Sequence, residues 1–254
     1  WPLPTMAPLA HTLALLAMTV ATVAIKVVPM DMARDSFDDR YEGCGPAMTT
    51  ALTALNRFEF LRNPHFAWFW PQAAAEWHKR GSHVSPLASP AQAIALMAYT
   101  MSDLYREFNA AVRVAGRSPQ QYRDNFHFKT LHFLLTQALE TLRHAQNRQC
   151  RRVFRGVQDV HYIARRGQRV RFGQFTSTSL SNETAQTYGT DTIFQVQTCH
   201  GVNIRQFSMY PEEEEVLIPP FETFEVTEVI YDGRRSWIWL RSAGTFSKYN
   251  CEWL

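Results

Sequence analysis

The stretch Arg152-Val153-Phe154-Arg155-Gly156-Val157 marks the point where the chain changes from helix-forming to strand-forming sequence. From here on, short runs rich in Val, Ile, Phe, Thr and Tyr are separated by Gly, Pro, Asn and Asp, the pattern of strands and their turns. Tyr231-Asp232-Gly233-Arg234 predicts a hairpin turn between the last two strands. The predicted strands are 152–157, 170–179, 192–198, 202–208, 214–218, 223–231 and 236–240.

The part of the chain before this stretch is helical in character, because its apolar residues recur at three- and four-residue spacing. Ser89 and Pro90 supply an N-cap and a first-turn proline for one of these helices, and Gly116 supplies its end. Helices followed by strands predict an α+β fold and not a doubly wound sheet. We therefore expect one domain over 40–254, mainly helical in 40–148 and mainly stranded in 149–254. The predicted helices are 47–60, 71–79, 91–114 and 123–146.

Composition and charge narrow the possible partners. The 254 residues are 46% hydrophobic and 19% charged, with a net charge of +3 and basic residues spread along the chain, so no nucleic-acid partner is predicted. The one basic cluster, residues 165–171, is interpreted as a solvated hairpin. The nine histidines lack metal-ligand spacing, so no metal site is predicted.

The amino-terminal region indicates the secretory pathway. Residues 6–25 are almost uncharged and rich in alanine, which predicts a signal peptide within residues 1–25 and not a membrane-spanning helix. In that pathway four cysteines without a Cys-x-x-Cys pair predict disulfides, for which three pairings exist in principle. The favoured pairing is Cys44–Cys251, which ties the ends of the mature domain together, and Cys150–Cys199 inside it.

Two short stretches of the strand-rich half carry candidate chemical groups. Arg155 lies in an apolar strand before Gly156, which lets another group approach the backbone closely, and a guanidinium held this way suits a phosphate or carboxylate. An arginine at a strand edge that reaches water is an equal alternative for this stretch alone. Phe172–Leu180 alternates so that hydroxyl groups share one face, although Ser and Thr are common in strands.

A third stretch places four glutamates, residues 212–215, directly before the apolar run Val216–Ile218. In an extended chain Glu213 and Glu215 point to the same side. Two such carboxylates raise each other's pKa and can divide the work of a cleavage reaction. A solvated acidic turn is the simpler interpretation of this stretch in isolation.

Together and in this order, the three stretches resemble the arginine–serine–Glu-x-Glu signature of the vertebrate ecto-ADP-ribosyltransferases, which are related to ADP-ribosylating toxins. The resemblance extends over about residues 40 to 254 and includes the four cysteines. It implies a β-sandwich-like NAD-binding half and a mono-ADP-ribosyltransferase that cleaves NAD at the nicotinamide–ribose bond. It also implies that the acceptors are arginine side chains of extracellular proteins, with NAD as co-substrate and no further cofactor.

Residue roles follow from the resemblance position by position. Arg155 matches the residue that grips the NAD phosphates, and Ser177 matches the one that orients the catalytic glutamate. Glu215 matches that glutamate, and Glu213 matches the glutamate that directs transfer to arginine. Further NAD contacts implied in this way are Gly156, Gln174, Ser208, Tyr188 and Tyr99.

Two other functions stay open at this point. An NAD glycohydrolase would use water in place of arginine, and Glu213 argues against it. An inactive binding protein would lack part of the signature, which is complete here. Many members of the family end in a hydrophobic tail that directs a lipid anchor, whereas this sequence stops at Leu254. We therefore expect either a secreted enzyme or one on the extracellular surface, with membrane contact only through a lipid-anchor tail beyond Leu254. Asn182-Glu183-Thr184 is a glycosylation sequon near the predicted site.

Overall fold

The computed structural model describes residues 25–233 and 235–254, so the predicted signal peptide lies outside the described residues except for Ile25. Within these ranges the chain forms seven α-helices and ten β-strands. The helices are α1 (Gly45–Arg62), α2 (Pro64–Lys79), α3 (Pro90–Tyr99), α4 (Leu104–Ala115), α5 (Pro119–Asn125), α6 (Lys129–Ala145) and α7 (Asn182–Gln186). The strands are β1 (Lys26–Pro29), β2 (Arg151–Val157), β3 (Val160–Ile163), β4 (Arg169–Val170), β5 (Thr176–Ser179), β6 (Thr192–Thr198), β7 (Val202–Asn203), β8 (Glu215–Ile218), β9 (Glu222–Tyr231) and β10 (Ser236–Thr245).

Eight of the described strands form one mixed sheet in the order β4-β9-β10-β6-β2-β5-β8-β7. Strands β6 and β10 are parallel, and the other neighbours in this sheet are antiparallel. Strands β1 and β3, neither of which was predicted, pair in parallel as a small separate sheet. The α+β fold is confirmed, and β2, β5 and β8 lie side by side in the half of this sheet that ends at β7.

Two predicted helices are each divided in the structure. The predicted helix 91–114 is interrupted between Tyr99 and Leu104, where the Thr100 hydroxyl bonds the Met97 carbonyl and accepts a hydrogen bond from the Met209 amide. Residues 92–99 are buried all round, whereas α4 buries only one face, so the chain must change direction between them. The predicted helix 123–146 breaks at 126–128, where Phe126 and Phe128 turn their rings into the core.

Other predicted boundaries were wrong for local reasons. Helix α2 starts at Pro64 and not at Pro71, because Asn63 caps it by accepting the Phe66 N–H. The predicted strand 170–179 is broken around Gly173, whose positive φ of 65° turns the chain. The predicted strand 202–208 pairs only as far as residue 203, since the next four residues form a turn closed by a bond from the amide of Phe207.

The helices pack mainly on one end of the sheet. Phe175, Val202 and Leu217 from this end belong to the same hydrophobic core as the buried faces of the helices. A second core lies against the rest of the sheet and includes Val153 and Phe194. None of the described helices is both long enough and apolar enough to cross a membrane.

Two disulfides cross-link distant parts of the chain, and they are the pairs favoured by the sequence. Cys44–Cys251 joins the residue before α1 to the carboxyl-terminal segment, across 207 residues of sequence. Cys150–Cys199 joins the chain just before β2 to the chain just after β6, which are neighbouring strands. Because a cross-link limits the freedom of the unfolded chain, both contribute to stability.

The basic cluster at 165–171 is not entirely a solvated hairpin, and that interpretation was wrong for Arg171. Its side chain is fully buried and forms an ion pair of 2.5 Å with Asp38. The same guanidinium donates hydrogen bonds to the carbonyl oxygens of Met32, Ala33 and Phe246. The cluster therefore contributes a buried anchor that holds the first and last segments of the domain against the sheet.

We expect Arg171→Leu to lower the free energy of unfolding by about 3 kcal/mol or more, because it leaves the Asp38 carboxylate buried without its cation. Chemical denaturation of both proteins measures the difference. Arg117→Leu is the matched control: it removes an exposed ion pair with Asp35 and should cost less than about 1 kcal/mol. Equal losses for the two variants would contradict the anchoring role of Arg171.

Candidate active site

A cleft of about 640 Å³ opens where the central strands β2 and β5 meet α3, α4, α7 and the start of β8. The strand order explains how residues far apart in sequence meet here, since β2, β5 and β8 are consecutive neighbours. Ser208 does not line the cleft; it lies buried behind its wall. All the other predicted site residues line it, namely Tyr99, Arg155, Gly156, Gln174, Ser177, Tyr188, Glu213 and Glu215.

Glu215 is the first residue of β8 and is 95% buried, with its carboxylate at the cleft wall. Burial raises its pKa to about 7, and the negative charge of Glu213 adds to the rise. Hydrogen bonds from Ser177 and Ser208 and the positive charge of Arg155 oppose it. The hydroxyl of Ser208 lies 3.5 Å from the Glu215 carboxylate. This carboxyl group therefore gains and loses its proton near neutral pH.

Glu213 reaches the same cleft by a turn and not by an extended strand. Residues Pro211–Glu213 form a short 3-10 helix, and Glu214 adopts a left-handed conformation with φ 50° and ψ 45° before β8 begins. The predicted strand geometry of Glu213 and Glu215 was therefore wrong, although both side chains line one cleft. The Ser179 hydroxyl holds the turn by donating a 2.7 Å hydrogen bond to the Glu213 carbonyl.

Arg155 lies in β2 and reaches across to β5, where its Nη1 donates a 2.7 Å hydrogen bond to the Ser177 carbonyl. No carboxylate in the described ranges forms an ion pair with it. The guanidinium is thus oriented by a neutral acceptor, and no described carboxylate pairs with its positive charge, so it is available to a ligand in the cleft. Such a cation binds phosphate or carboxylate groups well.

Tyr99 forms the buried back of the cleft at the end of α3. Its hydroxyl donates to the Phe175 carbonyl at 3.0 Å, lies 3.4 Å from the Ser177 hydroxyl and accepts from the Asn109 amide at 3.2 Å. Burial raises its pKa above the ordinary value, so the phenol stays protonated. Tyr99 therefore positions the start of β5.

Tyr188 lies at the opposite, open side of the cleft, with 54% of its surface exposed. Its hydroxyl donates a hydrogen bond to the carboxylate of Glu213. Partial burial and this bond raise the pKa of Tyr188, which keeps the hydroxyl protonated as a donor. The ring and the Glu213 carboxylate therefore form one unit at the cleft mouth.

Gly156 allows a close approach, but the approaching group belongs to the chain itself. A Cβ at this position would lie 2.2 Å from the Gly189 carbonyl oxygen and 2.3 Å from that of Ala185. Only glycine lets α7 and the loop after it lie directly on β2, which is how Tyr188 reaches the cleft. Gln174, another predicted contact, accepts a hydrogen bond from Arg113 of α4.

Helix α4 contributes a wall of the cleft that was not predicted from the sequence. Arg106, Asn109 and Arg113 line the cleft and lie on one side of α4 at three- and four-residue spacing. The amphipathic pattern of this helix shows that it has a polar face, but it does not show that this face borders the cleft beside β2 and β5. Among the described residues no group of three or more His, Cys, Asp and Glu side chains could hold a metal ion.

Comparisons with known proteins agree with this arrangement. A family model described as NAD:arginine ADP-ribosyltransferase matches residues 30–248. NAD(P)(+)–arginine ADP-ribosyltransferase 2 of Gallus gallus is 54% identical over 230 residues, covering 89% of this chain and 73% of that protein. GPI-linked NAD(P)(+)–arginine ADP-ribosyltransferase 1 of Mus musculus is 48% identical over 238 residues, with the same coverage of 89% and 73%. A mutant of the eukaryotic mono-ADP-ribosyltransferase ART2.2, solved in complex with NAD, aligns with a TM-score of 0.75 and 36% identity over 88% of this chain and 98% of that one.

Proposed function

The chain belongs to the NAD:arginine ADP-ribosyltransferase family, and from this membership we propose how its cleft carries out the reaction. The enzyme cleaves NAD at the nicotinamide–ribose bond and transfers ADP-ribose to arginine side chains of proteins. The proposal assigns this work to Arg155, Ser177, Glu213 and Glu215. The observation that carries it is the position of a buried carboxylate with a raised pKa, a second carboxylate and an oriented guanidinium in one cleft.

Glu215 is the proposed catalytic carboxylate. Loss of nicotinamide leaves an oxocarbenium-like ribose cation, as in glycoside hydrolysis, and a buried anion stabilises such a cation more than an exposed one. The carboxylate can also accept a hydrogen bond from the ribose 2′-hydroxyl. Ser177 and Ser208 support the ionised form, since their hydrogen bonds lower the pKa that burial raises.

Arg155 is the proposed ligand of the NAD phosphates, because its side chain is oriented by Ser177 and carries no competing carboxylate among the described residues. Glu213 is the proposed binding group for the acceptor. A carboxylate accepts two hydrogen bonds from a guanidinium, positions it for attack and helps to remove its proton. Tyr188, which donates to Glu213, keeps this carboxylate at the open side of the cleft.

We also propose that the domain over 40–254 is catalytic, that residues 1–25 include a signal peptide and that the enzyme acts outside the cell. Two disulfides support an oxidising compartment. The murine relative is described as GPI-linked, so attachment to the membrane through a lipid anchor fits the same location. Its partners are then NAD and arginine-containing extracellular proteins.

The test is an assay with labelled NAD and a free arginine analogue such as agmatine. We expect nicotinamide release together with ADP-ribosylated agmatine. An NAD glycohydrolase would release free ADP-ribose alone, which Glu213 disfavours. A binding protein without activity would release no nicotinamide.

The pH dependence of the enzyme tests the role of Glu215. Because the ionised form is the proposed catalytic one and the pKa of Glu215 is about 7, kcat/KM for nicotinamide release should fall tenfold per pH unit at pH values below this pKa and level off above it. In Glu213→Gln this acidic limb of the pH profile should move to lower pH, because the variant removes a negative charge that raises the pKa of Glu215. Glu212→Gln, at the exposed position in the same turn, should leave the limb unchanged. A limb near the ordinary glutamate pKa in wild type would exclude Glu215 as the titrating group.

A further inference from the structure

A second, smaller pocket of about 180 Å³ lies on the sheet face next to α7, outside the active-site cleft. Its floor is made by Trp237 and Trp239 of β10 with Ile193 and Gln195 of β6, and these four residues are called the Trp shelf below. The strand register places Trp237 beside Ile193 and Trp239 beside Gln195. The two indoles are half-buried and share one face, since residues two apart in a strand point the same way.

Helix α7 lies between the Trp shelf and the cleft, and Phe154 of β2 lines both pockets. Asn182 and Gln186 lie one helical turn apart and line the shelf pocket, whereas Thr184 and Ala185 line the cleft. The bare backbone of Gly156 allows α7 to rest on β2 between the two. A group attached at Asn182 therefore starts on the shelf side of α7, away from the catalytic carboxylates.

The polar side chains around the shelf have no partners within the described ranges. The side chains of Asn182, Gln186, Gln195 and Arg235 make no hydrogen bond or ion pair there, and neither do the indole N–H groups. Apolar aromatic faces bordered by a few free amide and cationic donors make up the lining of a ligand-binding pocket. A sugar ring is complementary to this pocket, because its flat C–H faces can stack on the indoles and its hydroxyl groups can bind the amide and cationic side chains around them.

The sequence indicates which kind of sugar could occupy this pocket, namely an N-linked glycan. Asn182-Glu183-Thr184 is the single Asn-x-Ser/Thr sequon among the 254 residues, and its asparagine is part of the pocket lining. We propose that Asn182 carries an N-linked glycan whose first sugars lie on the Trp shelf. The proposal rests on passage through the secretory pathway, which is part of the proposed function.

The modification is a transfer from a lipid-linked oligosaccharide diphosphate. The bond between the sugar C1 and the diphosphate oxygen breaks, a bond between C1 and Asn182 Nδ2 forms, and the amide gives up one proton as the lipid diphosphate leaves. On the shelf the sugar covers the indole faces, and the free amides of Gln186 and Gln195 bind its hydroxyl groups. The glycan thereby covers an apolar surface and stays clear of the cleft.

The first experiment identifies the modification. The full chain is directed into the secretory pathway of cultured cells by an added leader, so that the result does not depend on residues 1–25. Treatment of the secreted protein with a peptide N-glycosidase should lower its mass by one glycan and convert Asn182 to Asp in the peptide map. Asn182→Gln should show no mass change, and Thr184→Ser, which keeps a sequon, should show the wild-type change. Secreted wild-type protein without a glycan overturns the proposal, and the labelled-NAD assay on the same sample reports separately on the proposed function.

The second experiment tests contact with the shelf. Native wild-type protein should lose its glycan about tenfold more slowly than the double variant Trp237→Thr/Trp239→Thr, the factor that corresponds to about 1.4 kcal/mol of protection. Trp68→Thr, at an exposed tryptophan on α2, should release its glycan at the wild-type rate. If the double variant does not fold, wild-type protein carrying ¹³C-labelled sugars is sufficient, because protons over an indole ring shift upfield in NMR spectra. Equal release rates, or unshifted sugar protons, would show that the glycan does not lie on the shelf.

Discussion

Glu215→Gln is expected to lower both nicotinamide release and arginine ADP-ribosylation by about 10²–10³-fold, the range for loss of one preorganised electrostatic group at a transition state. The amide has the shape of the carboxylate and remains within reach of the hydroxyls of Ser177 and Ser208. It carries no negative charge, so the ribose cation loses its stabilising partner. The measurement is kcat/KM for labelled NAD, with and without agmatine.

Two controls make this result interpretable. Glu212→Gln changes an exposed glutamate three positions earlier and should keep both activities. Thermal unfolding should show that Glu215→Gln is at least as stable as wild type above neutral pH, because the buried group no longer has to carry a charge whose burial is costly. Near-normal transfer by a folded Glu215→Gln enzyme would remove this residue from the mechanism.

Glu213→Gln is expected to separate the two halves of the reaction. ADP-ribosylation of agmatine should fall by about 10²-fold or more, the usual contribution of a positioned acid–base group, while NAD hydrolysis stays close to the wild-type rate. The reason is that Glu215 and Arg155 still act on NAD, whereas the acceptor guanidinium loses the carboxylate that positions it and takes its proton. Free ADP-ribose should replace ADP-ribosyl-agmatine as the main product of labelled NAD.

Tyr188 offers a matched control for this separation. Tyr188→Phe removes the hydrogen bond to Glu213 but leaves its charge, so transfer should fall less than in Glu213→Gln. Equal losses of transfer and hydrolysis in Glu213→Gln would mean that this glutamate serves NAD cleavage and not acceptor selection.

Much of the candidate site could be predicted from the sequence because three short stretches, taken together and in order, resemble a known family. Arg155 in an apolar strand and the acidic run before Val216 are both visible in the chain, and their order indicated a family. The geometry between Glu213 and Glu215 could not be predicted, because the left-handed turn at Glu214 depends on contacts from Ser179 and Leu180 on other elements. The break between α3 and α4 was missed for a similar reason, since Thr100 is held by the distant Met209 amide.

The sequence by itself determined the α+β class, because periodicity and turn residues are local properties, and it favoured the cysteine pairs that the structure contains. The candidate reacting side chains followed from the resemblance of three short stretches to a known family. Only the tertiary structure decided the strand order that makes β2, β5 and β8 neighbours. It also decided that α4 forms a cleft wall and that Arg171 is buried against Asp38. These features arise from packing between distant segments of the chain; Arg171 and Asp38, for example, are more than 100 residues apart in sequence. A local sequence pattern does not show which distant surface will cover a given side chain.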